Sequence, residues 1–287
     1  MSTAPDDLAA LRREIDSIDE QLHDLFMRRG EVVAEIGRRK AADGEVMFRP
    51  AREAQLLRRL LARHRGDLFD GSVIRLWREI IAASIRVQGM LTVGYCPLEG
   101  HGSALRLANG HFGLDTPTMR FETAAHVVSA VHRGEVSVGL VPLPEVADAP
   151  GWWADVRDAT EVHVVAHLPW YAEPSAAVTV GALVLARGMP EDSGDDRSLL
   201  MFTCPKPVSR ARVGDVCADN GFEIDAQAAT DDPHAPGERI HIVQIDGFVN
   251  PEDARIQAVA ASLDASNVRL LGAFARPFRR AGTTGEK

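Results

Sequence analysis

The sequence predicts a multidomain protein in which an all-α segment is followed by an α/β segment and a small α+β segment. Residues 1–89 contain three stretches with helical periodicity and no strand-like run,. After Gly89, strand-like and helix-like stretches alternate, as they do in α/β and α+β domains,. A chain of 287 residues is also long enough for more than one domain,.

The first predicted helix is unusually long. From Asp6 to about Lys40 the chain has no proline, and its apolar residues recur in steps of three and four. This pattern predicts one helix roughly 50 Å in length. Because a helix of that length with a heptad seam usually pairs with another chain, we expect a homodimer.

Two shorter helices complete the predicted all-α segment. Pro50 suits the first turn of a helix that ends near His64, and a third helix follows Gly66 and ends at Gln88,. The later elements, in chain order, are strand 91–95, helix 124–132, strands 135–142, 162–168 and 178–186, a polar linker 189–196, strand 198–203, helix 210–220, strand 240–246, helix 251–263 and strand 268–273,.

These patterns divide the chain into four predicted regions. We expect a helical domain over residues 1–89, an α/β domain over 90–188 and an α+β domain over 189–280,. The final residues, 281–287, are expected to be a disordered tail.

The composition favours a cytoplasmic protein and leaves a small anionic metabolite open as its ligand. The net charge is −9, and residues 90–287 carry 16 basic against 26 acidic side chains. An acidic chain of this kind repels phosphate backbones, so we expect no nucleic-acid partner. No signal sequence and no membrane-length apolar stretch is evident, so we expect no membrane partner.

The three cysteines do not indicate a cofactor. Cys96, Cys204 and Cys217 lack the spacing of a zinc site, a redox pair or a disulfide framework,. We expect them to be buried apolar fillers and predict neither a metal nor a cofactor.

Two cations interrupt the apolar pattern of the first helix. Arg29 stands where the seam requires another apolar residue after Leu25, and Lys40 follows eleven residues later. Eleven residues are three turns plus roughly 20°, so both cations share a face and lie about 16 Å apart along the axis. Because a buried guanidinium is costly without a compensating anion, we expect the two side chains to close on one small anion.

Five further polar residues stand in suggestive positions: Arg12, Arg52, Glu53, Ser84 and Gln88. Together with Arg29 and Lys40 they include no nucleophile with a base and no metal triad, so covalent hydrolysis is excluded. Cations and amides of this kind suit recognition of a dianion and stabilisation of developing negative charge. Taken singly, each of these residues could also be an ordinary solvated polar residue of a helix. Arg29 alone could be an arginine whose side chain extends out of the apolar seam into solvent.

Three segments carry a family resemblance: LRREIDSIDEQLHDLFMRRGEVVAEIGRRK, RPARE and ASIRVQ. Together they resemble the all-helical class of chorismate mutases, as found in bifunctional chorismate mutase/prephenate dehydratases of aromatic amino acid biosynthesis. The resemblance covers residues 6–89 and implies an intertwined three-helix dimer with two active sites. It also implies chorismate as the substrate and prephenate as the product.

The resemblance assigns a role to each polar residue. Arg12 would be donated across the dimer interface, and Arg29 and Lys40 would hold the substrate carboxylates. Lys40 and Gln88 would also hydrogen-bond the ether oxygen, while Glu53 would meet the ring hydroxyl. Arg52 and Ser84 would line the pocket. Arg49 stands where some members have an acidic residue, so the resemblance assigns it no role.

The rest of the chain resembles a shortened dehydratase followed by a ferredoxin-like ACT domain. VGYCPLEGHGSALRLANGHFG and FETAAHVVSAVHRGEVSVGLVPLPEV resemble dehydratase segments, but residues 91–188 are about half the length such a domain needs. The residues 145–146 replace an Asn-Ser pair, and 180–182 (Val-Gly-Ala) replace the Thr-Arg-Phe motif. The phenylalanine-binding signatures of the ACT domain are replaced at 207–209 and 227–230.

The expected function is therefore that of a chorismate mutase without dehydratase activity. Three alternatives stay open from the sequence. One is an isochorismate pyruvate-lyase type of enzyme, another is a bifunctional mutase and dehydratase, and the last is a non-catalytic regulatory subunit of the ACT type.

Overall fold

The computed structural model describes residues 4–43, 48–98, 104–144, 151–157, 159–171 and 181–278. Contacts divide the chain into two units. Unit 1 comprises Met1–Phe48 and Ala83–Met90, and unit 2 comprises Arg49–Ala82 and Leu91–Lys287. The third helix contributes residues to both units.

The three predicted helices are confirmed. They are α1 (Ala4–Asp43), α2 (Pro50–Arg63) and α3 (Asp70–Gln88). Pro50 occupies the first turn of α2, where its missing N–H costs nothing,. At 40 residues, α1 is about 60 Å long,.

The apolar seam of α1 is exposed in the single chain. Its side chains are 45–62% exposed, and they are Leu8, Leu11, Ile15, Ile18, Leu22 and Leu25. Six apolar residues on one helical face form a surface that a soluble chain normally covers.

Unit 2 contains the strands and the remaining helices. In chain order these are β1 (Val93–Tyr95), α4 (Ala104–Phe112), β2 (Thr118–Arg120), α5 (Ala124–His132), β3 (Val138–Pro142), β4 (Val162–Leu168), β5 (Ala182–Arg187), β6 (Asp196–Pro205), α6 (Arg210–Asp219), β7 (Ile224–Asp231), β8 (Glu238–Asp246), α7 (Ala254–Leu263) and β9 (Ser266–Ala275). A short 3₁₀ turn, Trp152–Ala154, precedes β4.

The nine strands of the described ranges form one mixed sheet in the order β2-β1-β3-β5-β4-β9-β6-β8-β7. β1 pairs in parallel with β2 and β3, whereas β5 is antiparallel to β3 and β4. The last four strands pair antiparallel with one another. The two parts meet where β4 and β9 pair in parallel at Val164 and Gly272.

Gly272 makes this junction possible. A Cβ at that position would lie 2.1 Å from the Val164 carbonyl oxygen, a distance that no side chain can occupy. The predicted domain boundary between residues 188 and 189 falls between β5 and β6, which lie on opposite sides of this junction in the sheet. The boundary stays a prediction.

Two apolar clusters support the sheet. One includes Val127, Val131 and Leu185 and joins α5 to the strands, and it also reaches Met201 in β6. The other cluster joins α6 and α7 to the part of the sheet that contains β6 and β8, through residues such as Val213 and Ile256. Side chains that alternate along β6 therefore enter both clusters.

The predicted strands and helices of unit 2 agree with the structure to within a few residues, but α4, β2 and β7 were not predicted from the sequence. Expectations that concern residues 145–146, 178–180 and 281–287 lie outside the described residues. None of the helices in the described ranges is long and apolar enough to cross a membrane.

Candidate active site

Two contacts hold the end of α1 against the end of α3. The Arg29 guanidinium donates a hydrogen bond from Nη1 to the Ser84 hydroxyl. Eight residues later, a Cβ on Gly37 would lie 3.0 Å from the Cα of Gln88. Because the contacts occur in the same order along both helices, the two helical stretches run in the same direction.

Arg29 is only partly exposed, and its surroundings are unfavourable for its charge. Burial lowers the pKa of the Arg29 guanidinium, which starts from a value high enough to keep it charged at neutral pH,. The Ser84 hydroxyl accepts one of its hydrogen bonds but carries no charge. An anion bound at this position would offset the desolvation that the helix pair imposes on the cation.

Lys40 and Gln88 lie close to this helix contact. Lys40 is half-buried in the last turn of α1, three residues after Gly37, and therefore on the same side of the helix,. Gln88 is also half-buried, and its Nε2 donates to the Ser84 carbonyl oxygen at 3.1 Å. The structure thus brings together four of the predicted residues, namely Arg29, Lys40, Ser84 and Gln88.

Arg12 is far from this group within one chain. It is exposed on α1, seventeen residues before Arg29. Seventeen residues of helix span about 25 Å, which is much more than the length of an arginine side chain.

Glu53 belongs to unit 2 and is engaged in a buried ion pair. Its Oε2 accepts a hydrogen bond from Arg78 Nη1 at 2.5 Å, and both side chains are at least 90% buried. Arg78 also donates from Nε to the His111 carbonyl oxygen at 3.1 Å. Burial raises the pKa of the Glu53 carboxyl, and the adjacent Arg78 guanidinium opposes that rise.

Two further arginines lie at the start of α2, and they differ in their contacts. Arg52 is exposed. Arg49, for which the resemblance gave no role, forms an ion pair with Glu191 at 2.8 Å. In the same unit, Arg58 of α2 donates to the Ser193 hydroxyl at 3.0 Å, so both arginines tie α2 and the residue before it to the segment before β6.

Sequence reasoning missed two residues that contact predicted ones: Gly37, which approaches Gln88, and Arg78, which pairs with Glu53. A glycine inside a helical pattern often marks a close helix contact, and that signal was present at Gly37. Arg78 lies four residues after Ile74 and three before Ile81, both buried. It is therefore a cation on an apolar helical face, the same signal that identified Arg29.

No metal site was found alongside these residues. Within the part of the chain that the structure describes, no three His, Cys, Asp or Glu side chains are grouped so that they could hold a metal ion.

Comparison with known proteins identifies the helical region. Residues 11–89 match the family model described as chorismate mutase type II. The chain contains a chorismate mutase type II domain. This domain includes α2, α3 and most of α1, with all of the predicted site residues, so the resemblance inferred from the sequence is confirmed.

Relatives extend the likeness beyond this domain. A bifunctional chorismate mutase/prephenate dehydratase of Stutzerimonas stutzeri is 34% identical over 143 residues, which cover 48% of this chain and 39% of the relative. The corresponding protein of Pseudomonas aeruginosa is 34% identical over 149 residues, again with 39% of the relative covered. Both stretches are too long to fit within residues 1–89. The chain thus spans less than half the length of these relatives.

One solved structure shares the fold of a large part of the chain. It is described as GqqA, a novel type of quorum quenching acylase, and it superposes with a TM-score of 0.52 at 16% identity. The superposition covers 67% of this chain and 98% of that one.

The buried Glu53–Arg78 pair leads to a testable prediction. Arg78→Met should lower the free energy of unfolding by about 3–5 kcal/mol, because it leaves a buried carboxylate without a cation. Glu53→Gln in the Arg78→Met background should recover part of that loss. Burial raises the folded-state pKa of Glu53, and removal of the opposing Arg78 charge raises it further. The Arg78→Met loss should therefore shrink as the pH falls through the pKa of Glu53 in the variant. Urea denaturation at several pH values measures this, and a further loss from Glu53→Gln would contradict the prediction.

A second prediction compares two glycines of α1. Gly37→Ala places a methyl group against the Gln88 backbone and should destabilise the protein by about 1–3 kcal/mol,. Gly30→Ala is the matched control, since a Cβ there meets nothing within 4 Å and should raise stability by up to about 1 kcal/mol. Denaturation of both variants at one protein concentration measures the difference. Equal stabilisation by the two substitutions would show that α1 and α3 do not approach at Gly37.

Proposed function

We propose that this protein catalyses the rearrangement of chorismate to prephenate. The observation that carries the proposal is the α1–α3 contact within a chorismate mutase type II domain. It places the half-buried Arg29 on Ser84 and brings Gln88 against the helical turn that precedes Lys40.

The chemistry of this reaction suits such a site. The rearrangement is intramolecular, so it requires a folded substrate conformer and stabilisation of developing charge rather than a nucleophile or a cofactor. Arg29 and Lys40 hold the two substrate carboxylates, which compensate the desolvated cations. As the carbon–oxygen bond breaks and the new carbon–carbon bond forms within the same molecule, negative charge grows on the ether oxygen, and Lys40 and Gln88 donate hydrogen bonds to it.

Gln88 is arranged to make such a bond. Its Nε2 carries two N–H groups, and one donates to the Ser84 carbonyl oxygen,. That bond fixes the amide plane and aims the second N–H. Ser84 therefore positions two site residues, since its hydroxyl holds Arg29 and its carbonyl holds Gln88.

Glu53 has a different part in the proposal. Its Oε2 is held by Arg78, and we assign Oε1 to accept from the ring hydroxyl of the substrate. Arg52, which is exposed, is assigned by the resemblance to the lining of the pocket.

The site is completed by a second copy of the chain. The exposed seam of α1 provides an apolar surface for an intertwined dimer,. Arg12 lies about 25 Å of helix away from Arg29, so it reaches a site of this kind only from the neighbouring subunit. We place this homodimer in the cytoplasm, where chorismate is its small-molecule partner.

The C-terminal part of unit 2 has the layout of a ferredoxin-like domain. From β6 to β9 the elements follow the order βαββαβ, and the strands lie in the order β9-β6-β8-β7,. This supports an ACT-like domain over residues 189–280, which follows an α/β domain over 90–188 and the helical domain over 1–89.

We further propose that the dehydratase activity has been lost. In the place of a Thr-Arg-Phe motif, Ala182 is fully buried in β5, and Gly181 lies against Leu143. Neither residue offers a hydroxyl or a cation to a substrate.

Loss of this activity predicts that the purified protein forms no phenylpyruvate from prephenate at neutral pH. Formation of phenylpyruvate can be followed by its absorbance in alkali, with the faster acid-catalysed reaction of prephenate as the positive control. Catalytic formation of phenylpyruvate would contradict the proposed loss while leaving the mutase assignment intact.

Substitution of the residues at the ether oxygen tests the main proposal. Lys40→Ala and Gln88→Ala should each lower kcat/KM for chorismate by about 100-fold to 1000-fold, as removal of one transition-state donor typically does. Arg39→Ala is the matched control on the same turn of α1, because Arg39 is exposed and pairs with Glu35 at the surface. Wild-type turnover by either site variant, or pyruvate and salicylate as the products from isochorismate instead of prephenate from chorismate, would refute the proposal.

Donation of Arg12 across the dimer predicts complementation between two inactive variants. Arg12→Ala and Lys40→Ala homodimers should both be nearly inactive. After unfolding and refolding together in equal amounts, half of the dimers are mixed, and each mixed dimer has one intact site. The mixture should therefore regain about a quarter of the wild-type activity. If no activity returns although mixed dimers form, Arg12 does not act across the interface.

A further inference from the structure

Arg78 joins parts of unit 2 that are far apart in the sequence. It lies on α3, 25 residues after Glu53 on α2 and 33 residues before His111 on α4. Its guanidinium donates from Nη1 to Glu53 Oε2 at 2.5 Å, and from both Nε and Nη2 to the His111 carbonyl oxygen. The three nitrogens of the fork therefore have partners on two other helices, which fixes the orientation of the guanidinium.

The end of α4 is a suitable anchor for a cation. His111 lies in the last turn of α4, where carbonyl oxygens have no partner within the helix,. These oxygens carry the partial negative charge of the helix C-terminus, which favours a cationic donor. The Trp170 ring covers the guanidinium, with its centroid 4.9 Å from Cζ of Arg78. Because Arg78 is only 4% exposed, little solvent competes for these contacts.

Arg78 leaves the second oxygen of Glu53 available. The Glu53 carboxyl receives its hydrogen bond on Oε2, and no described residue donates to Oε1. Burial raises the pKa of this carboxyl, and Arg78 is the charged group that opposes the rise. On α4, the titratable residue that Arg78 contacts is His111, which is neutral because burial and the Arg78 charge hold its pKa well below the usual value. Arg78 therefore favours an ionised Glu53 whose second oxygen can accept a hydrogen bond.

We propose that Arg78 is a positioning residue for the rearrangement, and that the C-terminal end of α4 holds Arg78 in place. The inference rests on the proposed function, in which Glu53 Oε1 accepts a hydrogen bond from the ring hydroxyl of the substrate. Arg78 itself makes no contact with the substrate and acts through the charge and orientation of the Glu53 carboxylate. The predicted α/β domain, to which α4 belongs, thereby supports the mutase site.

The pH profile of kcat/KM for chorismate tests this role, because it reports the pKa values of the free enzyme. A protonated Glu53 is a weaker acceptor than the carboxylate, so kcat/KM should fall as the pH drops through its pKa. Arg78→Gln removes the charge that opposes the effect of burial and raises that pKa further. The acid limb should therefore move to higher pH. At neutral pH kcat/KM should be about ten-fold to a hundred-fold lower, and the loss should shrink as the pH rises.

Two further variants separate positioning from a purely structural role. Arg78→Lys keeps a cation beside Glu53, so its acid limb should stay close to that of the unsubstituted protein. In the Glu53→Gln background, where residue 53 does not titrate, Arg78→Gln should lower kcat/KM by less than about three-fold further. A loss that is the same at every pH and in both backgrounds would mean that Arg78 only supports the fold, and it would overturn the proposal.

Two glycines of the α4 region test the anchor. Gly113 follows α4 with a φ of +87°, and a Cβ there would lie 2.9 Å from the Ala82 Cβ on α3. Gly113→Ala should therefore displace the end of α4 and move the acid limb in the same direction as Arg78→Gln, with kcat/KM about three-fold to ten-fold lower. Gly110→Ala is the matched control, since a Cβ there meets nothing within 4 Å, and its kcat/KM should stay within about two-fold of the unsubstituted value. An unchanged pH profile in a folded Gly113→Ala protein would overturn the role of α4.

Failure of this inference is distinct from failure of the proposed function. If the unsubstituted protein forms prephenate but Arg78→Gln does not shift the acid limb, the role of Arg78 is overturned and the mutase assignment stands. If the unsubstituted protein does not convert chorismate, the mutase assignment is overturned, and the role of Arg78 falls with it. Circular dichroism establishes which variants are folded. If Arg78→Gln is not folded, comparison of Gly113→Ala with Gly110→Ala decides the proposal.

Discussion

The proposed activity of this protein depends on the desolvation of one cation in a helix pair. Arg29 lies at the end of a long apolar seam, half-buried, with a neutral serine hydroxyl as its hydrogen-bond partner. A helix can carry a guanidinium there at modest cost only if something negative binds to it. Gly37 lets α3 approach closely, which brings Gln88 against the helical turn that precedes Lys40. The same contact therefore underlies both parts of the proposal, namely the binding of a dianion and the stabilisation of charge that develops during rearrangement.

Much of the fold follows from local patterns in the sequence. The bounds of α2, α5 and β4 were predicted to within a residue, because proline, helical periodicity and apolar runs mark them clearly,. Other elements carry weak or misleading signals. In α4, Asn109 and Gly110 are typical of a turn, and β7 is built largely from alanine and aspartate, which have low strand propensity,.

The candidate site was predictable where a residue type conflicted with its local pattern. Arg29 and Lys40 stand out on an apolar helix, but their partners depend on contacts between distant parts of the chain. The pairing of Glu53 with Arg78, 25 residues away, could not be read from spacing, and neither could that of Arg49 with Glu191. Both ion pairs arise because tertiary packing brings opposite charges together, and the first also ties α2 to the end of α4 through Arg78.

Unit 2 joins two groups of strands in one continuous sheet. Strands β1 to β5 form one part of the sheet, and the ferredoxin-like order of β6 to β9 forms the other. A single parallel pairing at Val164 and Gly272 makes the sheet continuous, so each part protects one edge of its neighbour from solvent.

The most direct test of the central claim is the conversion of chorismate by the purified protein, followed by loss of chorismate absorbance and by identification of the product. The account predicts enzymatic turnover that yields prephenate without any added metal or cofactor. A chain that is folded and dimeric, yet converts chorismate no faster than buffer alone, would contradict it.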